Sequence, residues 1–140
     1  MHLLLALVLL GPTGCLPDRC LCARDASNLP AVVLAAVDEV DAVFAGRITR
    51  TVRVRGPQHW LEATFEIESR WKGARSATIR VRTPWFPALC GFPFEHGERY
   101  LVYAVLEDDG RLYTDACSRT RTSDEAGDEV IQLDRIVGKT

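Results

Sequence analysis

The sequence predicts a mainly β protein, built as a small five-stranded antiparallel barrel of the OB type with flanking helices. Two observations carry this prediction. Three runs alternate apolar and polar residues with the period of two that is typical of strands and two further strand-like runs follow them, while helical patterns flank the five on both sides. The chain has 140 residues, of which 47% are hydrophobic, and it shows no internal repeat or linker. These values fit one ordinary globular domain.

Both flanking helices have recognisable ends. Asn28 and Pro30 form a typical helix start, and apolar residues at helical spacing then predict a helix over about 29–40. Near the other end, 122–125 has the composition of a capping box, and Gly138 follows the last turn. The predicted apolar faces consist of Val33, Val37 and Val40 in the first helix and of Ala126, Val130, Leu133 and Val137 in the second.

The first two strands flank a turn at 56–59. In the first, alternation places Phe44, Gly46, Ile48, Val52 and Val54 on one face; in the second, it places Leu61, Ala63, Phe65 and Ile67 together. Folding the strands back on each other predicts that Arg53 lies opposite Glu62 and Arg47 opposite Glu68. Such pairs contribute about 0.2–1 kcal/mol each and favour this register.

The remaining strands are predicted at 78–83, 100–106 and 111–117, the last two joined by a turn at 108–110. Trp71, beside a bend at Gly73, is expected to fill the core. The irregular stretch 83–92 contains three aromatic residues and two prolines. This loop either closes one end of the barrel or exposes a docking surface.

The N-terminal region predicts export. Residues 1–10 form an apolar run that is shorter than the roughly 20 residues needed to span a bilayer and that fits a signal peptide. The following Gly14-Cys15 step resembles a bacterial lipoprotein processing site, which predicts a signal peptide at 1–14, a lipidated Cys15 and a tether at 15–19. The alternatives are a buried N-terminal helix, or ordinary export with Cys15 free or in an intermolecular bridge. We expect localisation to the cell envelope or outer surface as a lipoprotein, or otherwise secretion, where disulfides persist.

Other classes of function are disfavoured by the composition. A net charge of -2 without a basic stripe, a phosphate-binding loop or finger-like Cys/His spacing argues against nucleic acid as a partner. His59 and His96 lie in turn-like polar stretches, Ser118 is in no nucleophile pattern, and 108–109 is explained by the turn. We therefore expect no enzymatic activity and no cofactor.

Several short motifs resemble a known family in their order along the chain. Together they are similar to the netrin-like domain, and in particular to the N-terminal domain of the tissue inhibitors of metalloproteinases. The resemblance covers Cys20 to about Leu133, within a predicted domain at 20–140, and suggests a bacterial-type, single-domain member. The motifs are Cys20-Leu21-Cys22, Phe44-Ala45-Gly46, Trp71-Lys72-Gly73, Thr83-Pro84, Cys90-Gly91-Phe92, Tyr100-Leu101-Val102-Tyr103-Ala104 and Leu112-Tyr113-Thr114-Asp115-Ala116-Cys117-Ser118.

The resemblance implies an OB barrel with a disulfide-stapled N-terminal segment, in which Cys20 is bonded to Cys90 and Cys22 to Cys117. The residues alone leave three ways of pairing these four cysteines. A zinc site with four thiolates is the competing interpretation, and one close pair plus two lone cysteines is poor spacing for it. We therefore expect no bound metal.

The family's inhibitors present the α-amine and carbonyl oxygen of an N-terminal cysteine to the catalytic zinc of a protease. The resemblance assigns the contacting ridge to Cys20, Leu21, Cys22, Ala88 and Leu89. Cleavage before Cys15 leaves five residues ahead of Cys20, whose nitrogen is then an amide and a poor zinc ligand. We therefore expect a protein-interaction module, tethered to the membrane by lipid, with a zinc metalloprotease or another extracytoplasmic protein as partner. The alternative is a metalloendopeptidase inhibitor.

Overall fold

A computed structural model describes residues 20, 22, 28–73 and 75–140 of the chain. The predicted signal peptide at 1–14, the tether at 15–19 with Cys15, and Leu21 of the ridge lie outside the described residues. The two helices are α1 (Leu29–Glu39) and α2 (Gly127–Ile136). The strands are β1 (Ala42–Val54), β2 (Trp60–Lys72), β3 (Thr78–Pro84), β4 (Arg99–Leu106), β5 (Leu112–Tyr113) and β6 (Arg121–Thr122), and short 3-10 turns lie at Pro87–Leu89 and Ser123–Glu125.

Five strands form the predicted closed barrel. Their order is β1-β2-β3-β5-β4, and pairing of β1 with β4 closes the circle. Strand β2, which carries the acidic residues, lies between β1 and β3. One pairing differs from the prediction, because β5 runs parallel to β3, with Val81 beside Leu112. The additional short strand β6 pairs with the beginning of β4.

The hydrophobic core has two parts. One fills the barrel, and the other lies between the barrel wall and the two helices. The interior part comprises Ala42, Phe44, Ile48, Ala63, Phe65, Ile79, Val81, Phe94, Tyr100, Val102 and Ala104. The outer part comprises Val33, Val37, Val43, Trp71, Leu101, Tyr103, Ala126 and Leu133. Trp71 is only 2% exposed and donates its indole N–H to Asp134 at 2.8 Å, which confirms its predicted place in the core.

The first helix follows the prediction closely. The side chain of Asn28 accepts a hydrogen bond from the N–H of Ala31 at 3.3 Å, and Pro30 lies in the first turn. Val33 and Val37 are buried against the barrel wall. The helix ends at Glu39, one residue earlier than predicted.

The capping box predicted for the second helix is wrong. Residues Ser123–Glu125 form a 3-10 turn, so α2 begins only at Gly127, and its N-cap residue Ala126 has no side chain that could cap. The predicted end is confirmed, since Gly138 has a φ of 78° and donates its N–H to Leu133 at 3.1 Å.

The predicted register of β1 and β2 is also wrong. Arg53 lies opposite Leu61 instead of Glu62, and Arg47 lies opposite Glu66 instead of Glu68. Irregularities between Ala45 and Gly46 and between Ile48 and Arg50 shift the pairing, and a bulge reverses which residues face inward beyond it. The second irregularity therefore places Arg53, and not Val52, on the same face as Leu61.

The acidic residues of β2 form their ion pairs with other strands. Glu62 accepts from Arg82 of β3 at 3.0 Å, and Glu68 accepts from Arg99 of β4 at 2.9 Å.

The fifth strand is much shorter than the predicted 111–117, because the chain leaves the sheet after Tyr113 and turns. Among the described residues, no helix combines the length and the apolar character that crossing a bilayer requires.

Candidate functional site

Two disulfides attach the N-terminal segment to one end of the barrel. Cys20 is bonded to Cys90 and Cys22 to Cys117, with Cα–Cα distances of 5.1 and 5.0 Å. The pairing implied by the resemblance is therefore the pairing that the structure has. The two turns that carry the partner cysteines also contact each other directly, since Ala116 donates its N–H to the carbonyl oxygen of Cys90 at 2.8 Å.

The ridge residues Ala88 and Leu89 lie in the 3-10 turn directly before Cys90. Leu89 is 52% exposed, so its side chain is available to a partner. Cys90 ends this turn in the left-handed conformation, with a φ of 63°, and donates its N–H to Pro87 at 3.0 Å. The structure thus places Ala88 and Leu89 beside the disulfide of Cys20, as the ridge assignment requires.

The following residue, Gly91, allows this turn to close. A Cβ atom built at position 91 lies 2.0 Å from the carbonyl oxygen of Pro84, a distance that no real side chain tolerates. The N–H of Gly91 reaches the carbonyl oxygen of Phe86 at 3.2 Å. Only glycine fits between these two backbone groups, which explains why a glycine directly follows Cys90.

The turn that carries Cys117 is held by side chains of its own. Asp115 accepts hydrogen bonds from the backbone N–H groups of Cys117 and Ser118, at 2.9 and 3.0 Å. The hydroxyl of Thr114 is buried and bonds to the carbonyl oxygen of Tyr103 at 2.8 Å and to the hydroxyl of Thr120 at 2.9 Å. This network fixes the turn that carries the Cys22–Cys117 disulfide to strand β4.

A buried carboxylate from α2 also supports the turn that carries Cys117. Glu129 of α2 is only 2% exposed and accepts hydrogen bonds from both Arg119, at 3.0 Å to its Oε2, and the hydroxyl of Tyr103, at 2.8 Å. Arg121 reaches Oε2 of the same carboxylate at 3.2 Å. Burial, reinforced by the negative charge of Glu129, raises the pKa of the Tyr103 hydroxyl well above its ordinary value.

This cluster was not predicted from the sequence. Position 129 lies three residues after Ala126 and four before Leu133, on the helix face that packs against the barrel. The signal in the sequence was a charged residue on an otherwise apolar helix face. A carboxylate that is buried on such a face needs charged or hydrogen-bonding partners nearby. Its partner Arg119 lies in an irregular segment and Arg121 lies in the two-residue strand β6, so neither follows a periodic pattern.

The sulfur atoms of Cys20, Cys22 and Cys117 lie within 4.8 Å of one another, with the Cys20 and Cys117 sulfurs 3.3 Å apart. That spacing alone suits a metal ion. However, the ligand that zinc binds is a thiolate, and each of these sulfurs takes part in a disulfide. The four-thiolate zinc interpretation therefore does not fit the pairing.

The loop between β3 and β4 both closes the barrel and exposes apolar surface, so neither predicted alternative is sufficient alone. Phe92 packs against Phe94 and Tyr100, with ring centroids 4.7 and 5.7 Å apart. Trp85 and Phe86, by contrast, are 36% and 43% exposed. We use the name docking loop for residues 85–90, which contain these two rings and Leu89.

A cleft of about 470 Å³ opens beside the docking loop. The guanidinium of Arg53 lies 4.3 Å from the centre of the Trp85 ring and holds it by a cation–π contact. Leu61, Phe92 and Phe94 line the wall nearer the barrel interior. The β1 bulge, which turns Arg53 toward this face, is therefore what places a positive charge at the edge of the cleft.

Two of the residues that were predicted to be non-catalytic, His96 and Ser118, have structural contacts. His96 bonds to the backbone oxygen of Thr49 at 3.0 Å, and the hydroxyl of Ser118 bonds within its own turn. Residues 108–110 form the predicted turn, where Gly110 has a φ of 78°. The expectation that the protein is not an enzyme stays a prediction.

Comparison with models of known protein families found no match, and no curated protein matches the chain.

Proposed function

We propose that this chain is an exported, non-enzymatic netrin-like domain that is anchored by a lipid at Cys15 and binds another extracytoplasmic protein. The observation that carries the proposal is the exposure of Trp85, Phe86 and Leu89 in one loop that is stapled to the N-terminal segment. Large apolar side chains, aromatic ones above all, are enriched where proteins bind one another. A lipid at Cys15 and a tether of four residues would hold this surface close to a membrane.

The rigid attachment of the docking loop supports binding to a protein. Its two ends are held by the Cys20–Cys90 disulfide and by the hydrogen bond from Trp85 N–H to the carbonyl oxygen of His59 at 3.0 Å. A preformed loop loses little conformational entropy when a partner binds, and this raises affinity without additional contacts.

Site-specific photo-crosslinking in the native host tests this proposal. A photoreactive amino acid at position 89 is expected to give a discrete adduct, which Phe86→Asp removes. Ile131 is a matched control, because it is 48% exposed but lies on α2, away from the docking loop. Equal adducts from positions 89 and 131, or none from position 89, would contradict the proposal. Mass spectrometry of the mature N-terminus checks the lipid on Cys15 in the same preparation.

Metalloprotease inhibition is the second candidate, and one observation favours it. The Cys20–Cys90 disulfide holds the backbone of Cys20 beside Ala88 and Leu89, which is the arrangement that the resemblance requires of an inhibitor's ridge. A free α-amine and the adjacent carbonyl oxygen of Cys20 would occupy the open coordination position that a catalytic zinc uses for water.

Three versions of the N-terminus separate the two candidates. If the protein is an inhibitor, a chain beginning at Cys20 inhibits a zinc metalloprotease. A chain with one alanine before Cys20, or one beginning at Cys15, does not inhibit, because its Cys20 nitrogen is an amide. If all three leave a panel of zinc metalloproteases fully active, the inhibitor candidate fails and the interaction module stands.

A further inference from the structure

A groove crosses the outer face of the barrel, away from the ridge. It has a volume of about 390 Å³ and is formed by the beginning of β2, the end of β3, β5 and the turn between β4 and β5. A second hollow of about 450 Å³ shares Arg82, Arg111 and Leu112 with it and continues along β2 and β3. We call the first of these the outer groove. It is lined by Trp60, Arg82, Glu107, Asp108, Asp109, Arg111, Leu112 and Tyr113.

The strand register explains why Trp60, Arg82 and Tyr113 point outward, whereas Leu112, opposite Val81, packs against the core. Glu62 pairs with Arg82, and Arg82 pairs with Tyr113, so the three share one face of the sheet. Their neighbours Ala63 and Val81 are buried in the core, on the opposite face. Trp60, two residues before Glu62, lies on the outer face as well.

Two aromatic rings form the apolar part of the outer groove. The rings of Trp60 and Tyr113 meet edge to face, with centroids 5.8 Å apart and an interplanar angle of 87°. Both residues are half-buried, so part of each ring remains accessible. The Tyr113 hydroxyl donates a hydrogen bond to Asp115 at 3.3 Å, and burial raises its pKa to about 12.

The polar part of the groove mixes donors and acceptors at close range. Arg111 is held by Asp109, which accepts from its backbone N–H at 2.9 Å and from its guanidinium at 3.2 Å. Arg82 is oriented by Glu62 through its Nε at 3.0 Å. Carboxylates accept and guanidinium groups donate, whereas a hydroxyl group does both. A polyhydroxylated ligand can therefore satisfy both kinds of side chain.

The balance of charge disfavours a polyanion. Three carboxylates, from Glu107, Asp108 and Asp109, line the groove beside the guanidinium groups of Arg82 and Arg111. Grooves that bind single-stranded nucleic acid are positively charged along their length, because the phosphate backbone dominates that affinity. A neutral ligand with apolar faces and many hydroxyl groups fits this lining better.

We propose that the outer groove is a binding site for a neutral oligosaccharide. A sugar ring packs its C–H face on Trp60 and Tyr113, while its hydroxyl groups bond to Asp108, Asp109 and Arg111. The position supports the assignment, because OB folds bind oligosaccharides and oligonucleotides on the face of strands 2 and 3 and on the loops between strands 1 and 2 and strands 4 and 5. Among the residues that the structure describes, none of the ridge and none of the docking loop lines the outer groove.

Isothermal titration calorimetry of the full chain with both disulfides formed tests this site. The probes are three hexasaccharides, made of β-1,4-linked glucose, β-1,4-linked N-acetylglucosamine and α-1,4-linked glucose. At least one of them is expected to bind. Trp60→Leu is expected to weaken binding at least tenfold, and Asp108→Asn, an exposed substitution that spares the core, several-fold. Trp85→Leu, on the docking loop, is the matched control and is expected to leave the affinity unchanged.

The proposal is overturned if none of the three hexasaccharides binds, or if Trp60→Leu and Asp108→Asn both bind as tightly as the unaltered chain. Binding of a ten-nucleotide oligothymidine in place of any sugar also overturns it and assigns the groove to single-stranded nucleic acid. These results are independent of the protein-docking proposal, because the crosslinking positions and the sugar-binding residues lie on different surfaces.

Discussion

At the scale of single residues, Glu129 supports the turn that carries the Cys22–Cys117 disulfide. Its carboxylate binds Arg119, Arg121 and the Tyr103 hydroxyl, and so ties α2 and β4 to the segment that follows Cys117. Removing one partner of a buried ion pair is strongly destabilising, because it leaves the other charge uncompensated. The free energy of unfolding should therefore depend strongly on this one side chain.

Glu129→Ala is expected to lower the free energy of unfolding by about 3 kcal/mol, the lower part of the range for breaking a buried ion pair, because both arginines partly reach solvent. Guanidinium chloride denaturation followed by circular dichroism measures the change. The exposed Glu125 of the neighbouring 3-10 turn is the control, and Glu125→Ala should change stability by less than about 0.5 kcal/mol. Similar losses in both variants would show that the cluster contributes nothing specific.

The three tyrosines are expected to titrate at unusually high pH. Burial raises the pKa of Tyr100 and Tyr103, and it raises that of Tyr113 to about 12. The unfolded chain has ordinary tyrosines that ionise near pH 10, so it loses protons first, and stability falls as the pH rises from about 10 to about 12. The absorbance of phenolate at 295 nm should therefore show no native transition near pH 10. A transition there that accounts for all three tyrosines would contradict the burial described for them.

At the scale of elements, the sequence predicted strands better than it predicted how they pair. Alternation placed Phe44, Ile48 and Phe65 on the strand faces that the structure buries, because the period of two is a property of each strand alone. The register of β1 against β2 depends on bulges. Arg50 interrupts the apolar face beside the extra residue Thr49, but this interruption does not specify how the two strands pair beyond it. The parallel pairing of β5 with β3 depends on barrel closure, which is likewise not a local property.

Gly91→Ala is expected to disrupt the docking loop, because the added methyl group collides with the carbonyl oxygen of Pro84. We expect a loss of roughly 1–3 kcal/mol in the free energy of unfolding, together with a weaker photo-adduct at position 89. Gly127→Ala is the matched control, since a Cβ at position 127 meets nothing within 4 Å. That change should be neutral or slightly stabilising at the start of α2. Equal stability of the two variants, measured by thermal denaturation, would contradict this account of the loop.

At the scale of the whole molecule, the two disulfides join segments that are 70 and 95 residues apart in the chain. Residue patterns alone left three pairings open, and the resemblance to inhibitor domains supplied the one that the structure has. The candidate ridge was therefore predictable only through that resemblance. The outer groove was not predicted, because its lining comes from β2, β3, β5 and a turn that only the closed barrel brings together.

Removing the Cys22–Cys117 disulfide should destabilise the entire domain. The double substitution Cys22→Ser and Cys117→Ser, which leaves no unpaired partner, is expected to cost roughly 4 kcal/mol on chain-entropy grounds and to lower Tm by roughly 10 °C. Cys15→Ser is the control, because we propose Cys15 as the site of lipid attachment and not as a disulfide partner, and the Tm of the purified soluble form should not change. A double variant with an unaltered Tm would mean that this disulfide does not constrain the fold.

The arrangement of the N-terminal segment beside the docking loop is tested most directly by disulfide mapping under non-reducing conditions. Trypsin releases Cys20 and Cys22 on one short peptide, since Arg19 and Arg24 flank them. Fragmentation between the two cysteines by electron transfer then assigns each partner. The predicted result is Cys20 joined to the peptide that contains Cys90, and Cys22 joined to the peptide that contains Cys117. A Cys20–Cys117 or a Cys20–Cys22 bond would contradict the account.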